Sequence, residues 1–126
     1  MNQKIQALVV YTDDQPSRSL DWALQNLRVE TCPVHTCEQA RDLLEEAGKL
    51  PDIVFTDATL LDGSWKELLM MGRETQAKTV VVGRMLDYQL YLDVMESGAF
   101  DFLLPPFVPD DLAHVLVCAT EERFVH

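Results

Sequence analysis

A chain of 126 residues with 48% hydrophobic content is large enough for one packed core and too short for two comfortable ones, so a single domain over residues 1–126 is expected. Its 21 acids against 10 bases give a formal charge of −11, which argues against direct contact with nucleic acid or an anionic membrane surface and favours cationic partners, a divalent metal included. Three cysteines, Cys32, Cys37 and Cys118, show no tight pairing pattern and suit a reducing compartment better than a disulfide framework.

The opening "MNQKIQALVV" has one lysine and an apolar run too short for a signal sequence or a membrane span, so a cytoplasmic protein is expected. Within it, "IQALVVYT" reads as a strand that stops at "DDQPS", where Pro16 suits the first turn of a helix. Leu20, Ala23, Leu24 and Leu27 then recur at helical spacing. "CPVHT" reads as a second strand, pushed to a sheet edge by Pro33. The longer "CPVHTC" has residue types that bind metals, but an apolar strand with incidental thiols and His35 is the simpler reading. "EQARDLLEEAGKL" places Ala40, Leu43, Leu44 and Ala47 on one helical face and closes at Gly48.

"PDIVFTD" is a third apolar run, ended by Asp57, and "LLDGSW" is a turn into the helical "KELLMMGRE". Trp65 is expected to pack on its own domain and Leu69 to Met71 to join the core. "KTVVVG" is the next strand, ending at Gly83; "DYQLYLDVMESG" is a helix closed by Gly98; "FDFLL" is the last strand; a final helix begins near "VPDDLAHVL". Five β-α units whose strands are continuous apolar runs imply a parallel sheet covered on both faces. Right-handed crossovers restrict it to a doubly wound (βα)5 three-layer sandwich of the flavodoxin-like α/β class.

In such sheets ligands bind outside the carboxyl ends of the strands. The residues at those ends are Asp13 and Asp14, then Asp57, then Gly83 and Arg84, then Leu104, Pro105 and Pro106. Three carboxylates at one edge raise the proton affinity of at least one of them unless a cation intervenes. Mg²⁺, which takes one or two carboxylates and keeps several waters, is the natural relief.

With "DDQP" after the first strand, "PDIVFTDATLLDG" around the third and "ESGAFDFLLPPF" at the last, the chain resembles the receiver domain of bacterial two-component response regulators, the CheY-like family, over essentially all its length. The resemblance implies that Asp57 is the phosphoacceptor, that Asp14 ligates Mg²⁺ with Asp13 acting mainly through water, and that the Thr59 backbone carbonyl completes the protein's share with Asp57. It implies a sensor histidine kinase or phosphotransfer protein as donor, a downstream output protein or domain as target, and a signalling domain whose phosphoryl transfer is self-catalysed at most, in place of an enzyme. Family partner contacts most often use the fourth helix, last strand and last helix, a face that here includes Tyr88, Tyr91, Asp93, Phe102, His114 and some of "CATEERF"; a homodimer through it is compatible with the resemblance.

The departures gather around the acceptor. Pro105 stands where the family has a lysine that pairs with the acceptor carboxylate, and Gly83 where it has a hydroxyl that moves to the phosphoryl group as the aromatic at the Phe102 position swings inward. Leu61 replaces a common proline and Trp65 a common glycine. Without lysine and hydroxyl, phosphorylation loses much of the differential contact that shifts a two-state equilibrium. Two readings follow: an Asp57 phosphoacceptor with a weakened or rewired switch, or an interaction module that works without phosphate. Arg84 either reaches the phosphoryl group as a replacement cation or points to solvent and pairs with Asp87. The proline after the missing lysine is kept as Pro106, and a cis Pro105–Pro106 bond is expected. An unrelated flavodoxin-like or phosphatase-like enzyme would need the glycine-rich phosphate loop and general acid that the sequence lacks.

Overall fold

Successive side chains of β1 (Gln6–Val10) leave the sheet on opposite faces, and both faces are covered. Ala7 and Val9 pack with Leu20 and Leu24 of α1 (Pro16–Asn26) and with Leu112 and Leu116 of α5 (Pro109–Ala119). Leu8 and Val10 face the other way, against Leu44 of α2 (Cys37–Glu46) and Leu68 of α3 (Trp65–Thr75). A third cluster on that side joins Trp65 and Leu69 of α3, Val81 of β6 (Lys78–Val82), Val94 of α4 (Tyr88–Glu96) and Phe102 of β7 (Asp101–Leu103). Every residue of β3 (Ile53–Asp57) is buried, which is why that strand reads as an unbroken apolar run. Each fully buried leucine or valine here contributes about 1.5–3 kcal/mol.

The computed structural model describes residues 4–12, 16–46 and 50–121. Five strands run parallel in the order β2-β1-β3-β6-β7, where β2 spans Glu30–Val34. The doubly wound (βα)5 sandwich is therefore the observed architecture. Pro33 lies in an edge strand, as a residue without a backbone N–H should. Between β3 and α3 the chain also makes a two-rung antiparallel hairpin, β4 (Thr59–Leu60) with β5 (Gly63–Ser64), where the sequence suggests only a turn.

Local signals explain the element ends. Ser64 and Glu67 form a reciprocal capping box at the start of α3. Asp87 caps α4 by accepting the Leu90 N–H, and Gly98 follows that helix at φ +96°, a conformation open to glycine at little cost. Pro109 opens α5. The expected helix stop at Gly48 lies outside the described residues. The core expectation for Leu69–Met71 needs correction at Met70: it is 61% exposed while its neighbours are buried, because three consecutive helical residues cannot share one face. No helix among the described residues is long and apolar enough to cross a membrane.

Candidate functional site

The strand order reverses between β1 and β3, since the chain leaves β1 toward β2 on one side and continues from β3 toward β6 and β7 on the other. Asp57 is the last residue of β3 and sits at this crevice, level with Val82 of β6. It is only 1% exposed. Both carboxylate oxygens are held by the protein: Oδ2 accepts the backbone N–H of Thr12 at 3.0 Å, just beyond β1, and Oδ1 accepts the hydroxyl of Ser17. Ser17 is fully buried in the first turn of α1, where Pro16 starts the helix and directs the next side chain back over the end of β3. Burial raises the Asp57 pKa above its ordinary value, opposed by the Ser17 and Thr12 hydrogen bonds and then by the positive charge of Arg84.

The β6–β7 side of the site is apolar. A Cβ added to Gly83 would lie 2.6 Å from Cζ of Phe102 and 3.1 Å from Cδ2 of Leu104, so the phenyl ring fills the volume that a side chain at 83 would need. Phe102 is buried at 9% exposure and meets Tyr91 edge-on, with ring centroids 5.9 Å apart. The expected cis Pro105–Pro106 bond is present, and Pro105 itself is exposed. Above this edge lies an open groove of about 590 Å³ lined by Thr12, Thr59, Leu61, Gly83, Arg84 and Met85 among others; Asp57 is not one of its lining residues.

Of the expected metal ligands, Asp13 and Asp14 lie outside the described residues. Asp57 and Thr59 are described, and a carboxylate and a backbone carbonyl are hard oxygen donors of the kind Mg²⁺ takes. Among the described residues no three His, Cys, Asp or Glu side chains group as a metal site. That includes "CPVHTC": Cys32 is exposed on β2, the His35 ring bonds the Tyr11 carbonyl at 2.9 Å and packs edge-on to the Tyr11 ring, and Cys37 is buried at the start of α2. Burial, and then the charge of nearby Asp62, pushes the Cys37 thiol up to about 11, leaving it protonated near neutral pH. Asp62 in turn accepts the N–H groups of Cys37 and Glu38 and thereby ties the β4–β5 turn to the N-terminus of α2.

Arg84 is exposed on the loop after β6, and its charge reaches Asp57 strongly enough to lower that carboxyl's pKa. Asp87, its expected surface partner, caps α4 through one carboxylate oxygen. Trp65 is buried in the α3–α4 cluster, as expected of a helix-start aromatic packing on its own domain. On the expected partner face Tyr88, Tyr91, Asp93 and His114 are exposed, whereas Phe102 is withdrawn into the core. Ser17 escapes a reading of the sequence because it lies 40 positions from Asp57 and looks like one more polar residue in a turn. A hydroxyl one residue inside a proline-started helix at a strand's carboxyl end was the available signal.

Among solved structures the fold matches response-regulator receiver domains. A two-component response regulator from Clostridium difficile superposes with a TM-score of 0.80 at 19% identity, covering 97% of this chain and 100% of that one. The signal receiver domain of an HD domain-containing protein from Pseudomonas fluorescens Pf-5 gives 0.78 at 18% identity, covering 97% and 98%. A CheY-like receiver domain protein from Methanospirillum hungatei JF-1 gives 0.77 at 17% identity, also covering 97% and 98%. No protein-family profile matches the sequence, and no curated protein matches it. The likeness lies in the CheY-like fold, in the plain sense of strand order and layering.

Proposed function

We propose that the chain is a receiver in a two-component signalling relay and that Asp57 accepts a phosphoryl group from a phosphohistidine of a sensor kinase or phosphotransfer protein, or from a small phosphodonor. The observation that carries this reading is the placement of a buried carboxylate at the end of β3, at the crevice where strand order reverses and beside an open groove that Arg84 lines. In the transfer, a carboxylate oxygen of Asp57 attacks phosphorus in line, the P–N bond to the donor imidazole breaks, and the imidazole leaves with a proton from solvent. Mg²⁺, when held by Asp57, the Thr59 carbonyl, Asp14 and, through water, Asp13, supplies charge that stabilises the phosphoryl oxygens. The chain's own residues do the rest. The Thr12 N–H orients the carboxyl from the backbone, the Ser17 hydroxyl holds it at rest, and Arg84 adds the nearby positive charge.

The switch that follows phosphorylation is weakened in this reading, because Gly83 offers no hydroxyl, Pro105 no cation, and Phe102 already occupies the space beside Gly83. That same packing is the observation favouring the second reading, a phosphate-independent interaction module whose Tyr88- and Tyr91-bearing surface holds one arrangement. In either case the output protein is recognised through this surface. The test is Mg²⁺-dependent phosphorylation of the purified chain by a small phosphodonor, read by intact mass, with Asp57→Asn as control. A gain of one phosphoryl group that the control lacks supports the acceptor. No gain at saturating donor and metal leaves the interaction module.

A further inference from the structure

We infer that the Ser17 hydroxyl is a latch on Asp57: it holds the carboxyl in a closed arrangement, and release of that one bond sets how often the carboxylate is open to an incoming group. Four observations carry this. Asp57 is 1% exposed, although it stands at the edge where ligands approach. Each of its oxygens already accepts a hydrogen bond, Oδ2 from the Thr12 main chain and Oδ1 from Ser17. Ser17 is itself fully buried, so its hydroxyl exchanges the carboxylate for no solvent partner without local movement. On the groove side Gly83 carries no side chain and Pro105 no charge, and Arg84, which lines the groove, acts on Asp57 less than either hydrogen bond does.

A carboxylate oxygen can attack only with a lone pair aimed at the electrophile, and a donated hydrogen bond both occupies a lone pair and fixes the plane of the group. The Thr12 bond comes from the backbone and survives any substitution there other than proline. The Ser17 bond comes from a side chain, which makes it the adjustable one of the two. Ser17 is thus a positioning residue, acting through Asp57 and touching no donor itself. Its meaning for signalling rests on the acceptor reading above; the latch does not.

The experiment is chemical labelling of carboxyl groups in the metal-free full chain with a water-soluble carbodiimide and an amine, mapped by peptide mass. In the wild type Asp57 labels far more slowly than exposed Asp110. Ser17→Ala raises the Asp57 rate about ten- to a hundredfold, the equilibrium factor of one hydrogen bond to a charged group, and leaves Asp110 unchanged. Ser17→Thr, which keeps the hydroxyl, restores slow labelling. If Ser17→Ala raises all carboxyl rates alike, the fold has been lost and Ser17→Cys decides, since a thiol fills the volume but donates weakly and must show the same selective rise. An Asp57 rate unchanged in a folded Ala or Cys variant overturns the latch. In a parallel arm with phosphodonor and Mg²⁺, the latch expects a higher maximal rate with the donor concentration for half-saturation unchanged. Faster labelling with no phosphoryl gain keeps the latch and removes the acceptor; phosphorylation with unchanged labelling does the reverse.

Discussion

The two sides of the Asp57 crevice are built from opposite materials. Toward β1 and α1 the carboxylate meets a backbone amide and a buried hydroxyl, both donating. Toward β6 and β7 the positions facing the same edge hold a glycine, a phenyl ring and an exposed proline. The polar half can hold a negative charge but its donors are already engaged by it; the apolar half offers close packing, with Arg84 on the loop after β6 as its charged neighbour of Asp57. On the acceptor reading proposed above, this asymmetry would separate two tasks: the β1–α1 half would govern whether Asp57 reacts, and the β6–β7 half whether anything follows.

The largest effect should come from the packed half. Phe102→Ala leaves a cavity against Gly83, Val81 and Tyr91 and should cost about 3–5 kcal/mol in urea unfolding. Gly83→Thr would introduce a hydroxyl but drives a Cβ into the Phe102 ring, and should cost about 1–3 kcal/mol. The two share one volume, so the double variant should be less destabilised than the sum by on the order of 1 kcal/mol in a double-mutant cycle. Additive costs would mean that Gly83 and Phe102 are independent and that the apolar half is not one packed unit.

How far these halves can be read from sequence differs for a physical reason. Strand and helix order follows from apolar runs and helical spacing, which are local, and so the sheet, its Pro33 edge strand and the Asp57 strand end are all legible. Gly83 reads as a lost hydroxyl, since a one-dimensional pattern records what a residue lacks. That it is also the room for Phe102 depends on the β6–β7 register, which sets Val81 opposite Phe102, and on the ring turning inward. Ser17 depends on the rotation of α1 about its axis, which no spacing within "DDQPSRS" specifies. Met70 fails for the opposite reason: helical geometry alone sends Leu69 and Met71 to different core clusters and leaves Met70 between them on the exposed side.

In the polar half the next effect is a gain. Asp57 has a raised folded-state pKa, chiefly from burial, so its folded form binds a proton more readily than its unfolded form. Its contribution to stability is then fullest below the ordinary carboxyl value of 3.8 and is lost as pH rises through the folded pKa. Asp57→Asn removes that loss while an amide can still accept from Thr12 and donate to Ser17. In metal-free buffer the variant should match wild type near pH 3.5 and exceed it by roughly 1 kcal/mol at neutral pH. A stability difference independent of pH would show that the carboxylate is not strained by burial, and the contrast between the halves would lose its electrostatic content.

The smallest effect belongs to Arg84, and it bears on whether this residue acts on Asp57 as a working cation. Its charge lowers the Asp57 pKa, but less than burial raises it and less than either hydrogen bond lowers it. Arg84 is an exposed residue, so its effect on Asp57 should be screened by salt more than the buried bond from Ser17. Arg84→Ala should therefore raise the Asp57 pKa followed by carboxyl ¹³C NMR, and the difference from wild type should shrink in about 1 M salt, where the screening length is only about 3 Å. Ser17→Ala should raise it too, by more and with little salt dependence, because its bond is buried. A large, salt-resistant shift for Arg84→Ala would instead place the guanidinium in direct contact with the carboxylate in solution. The apolar half of the crevice would then own a working cation after all, carried on the loop after β6 in place of the end of β7.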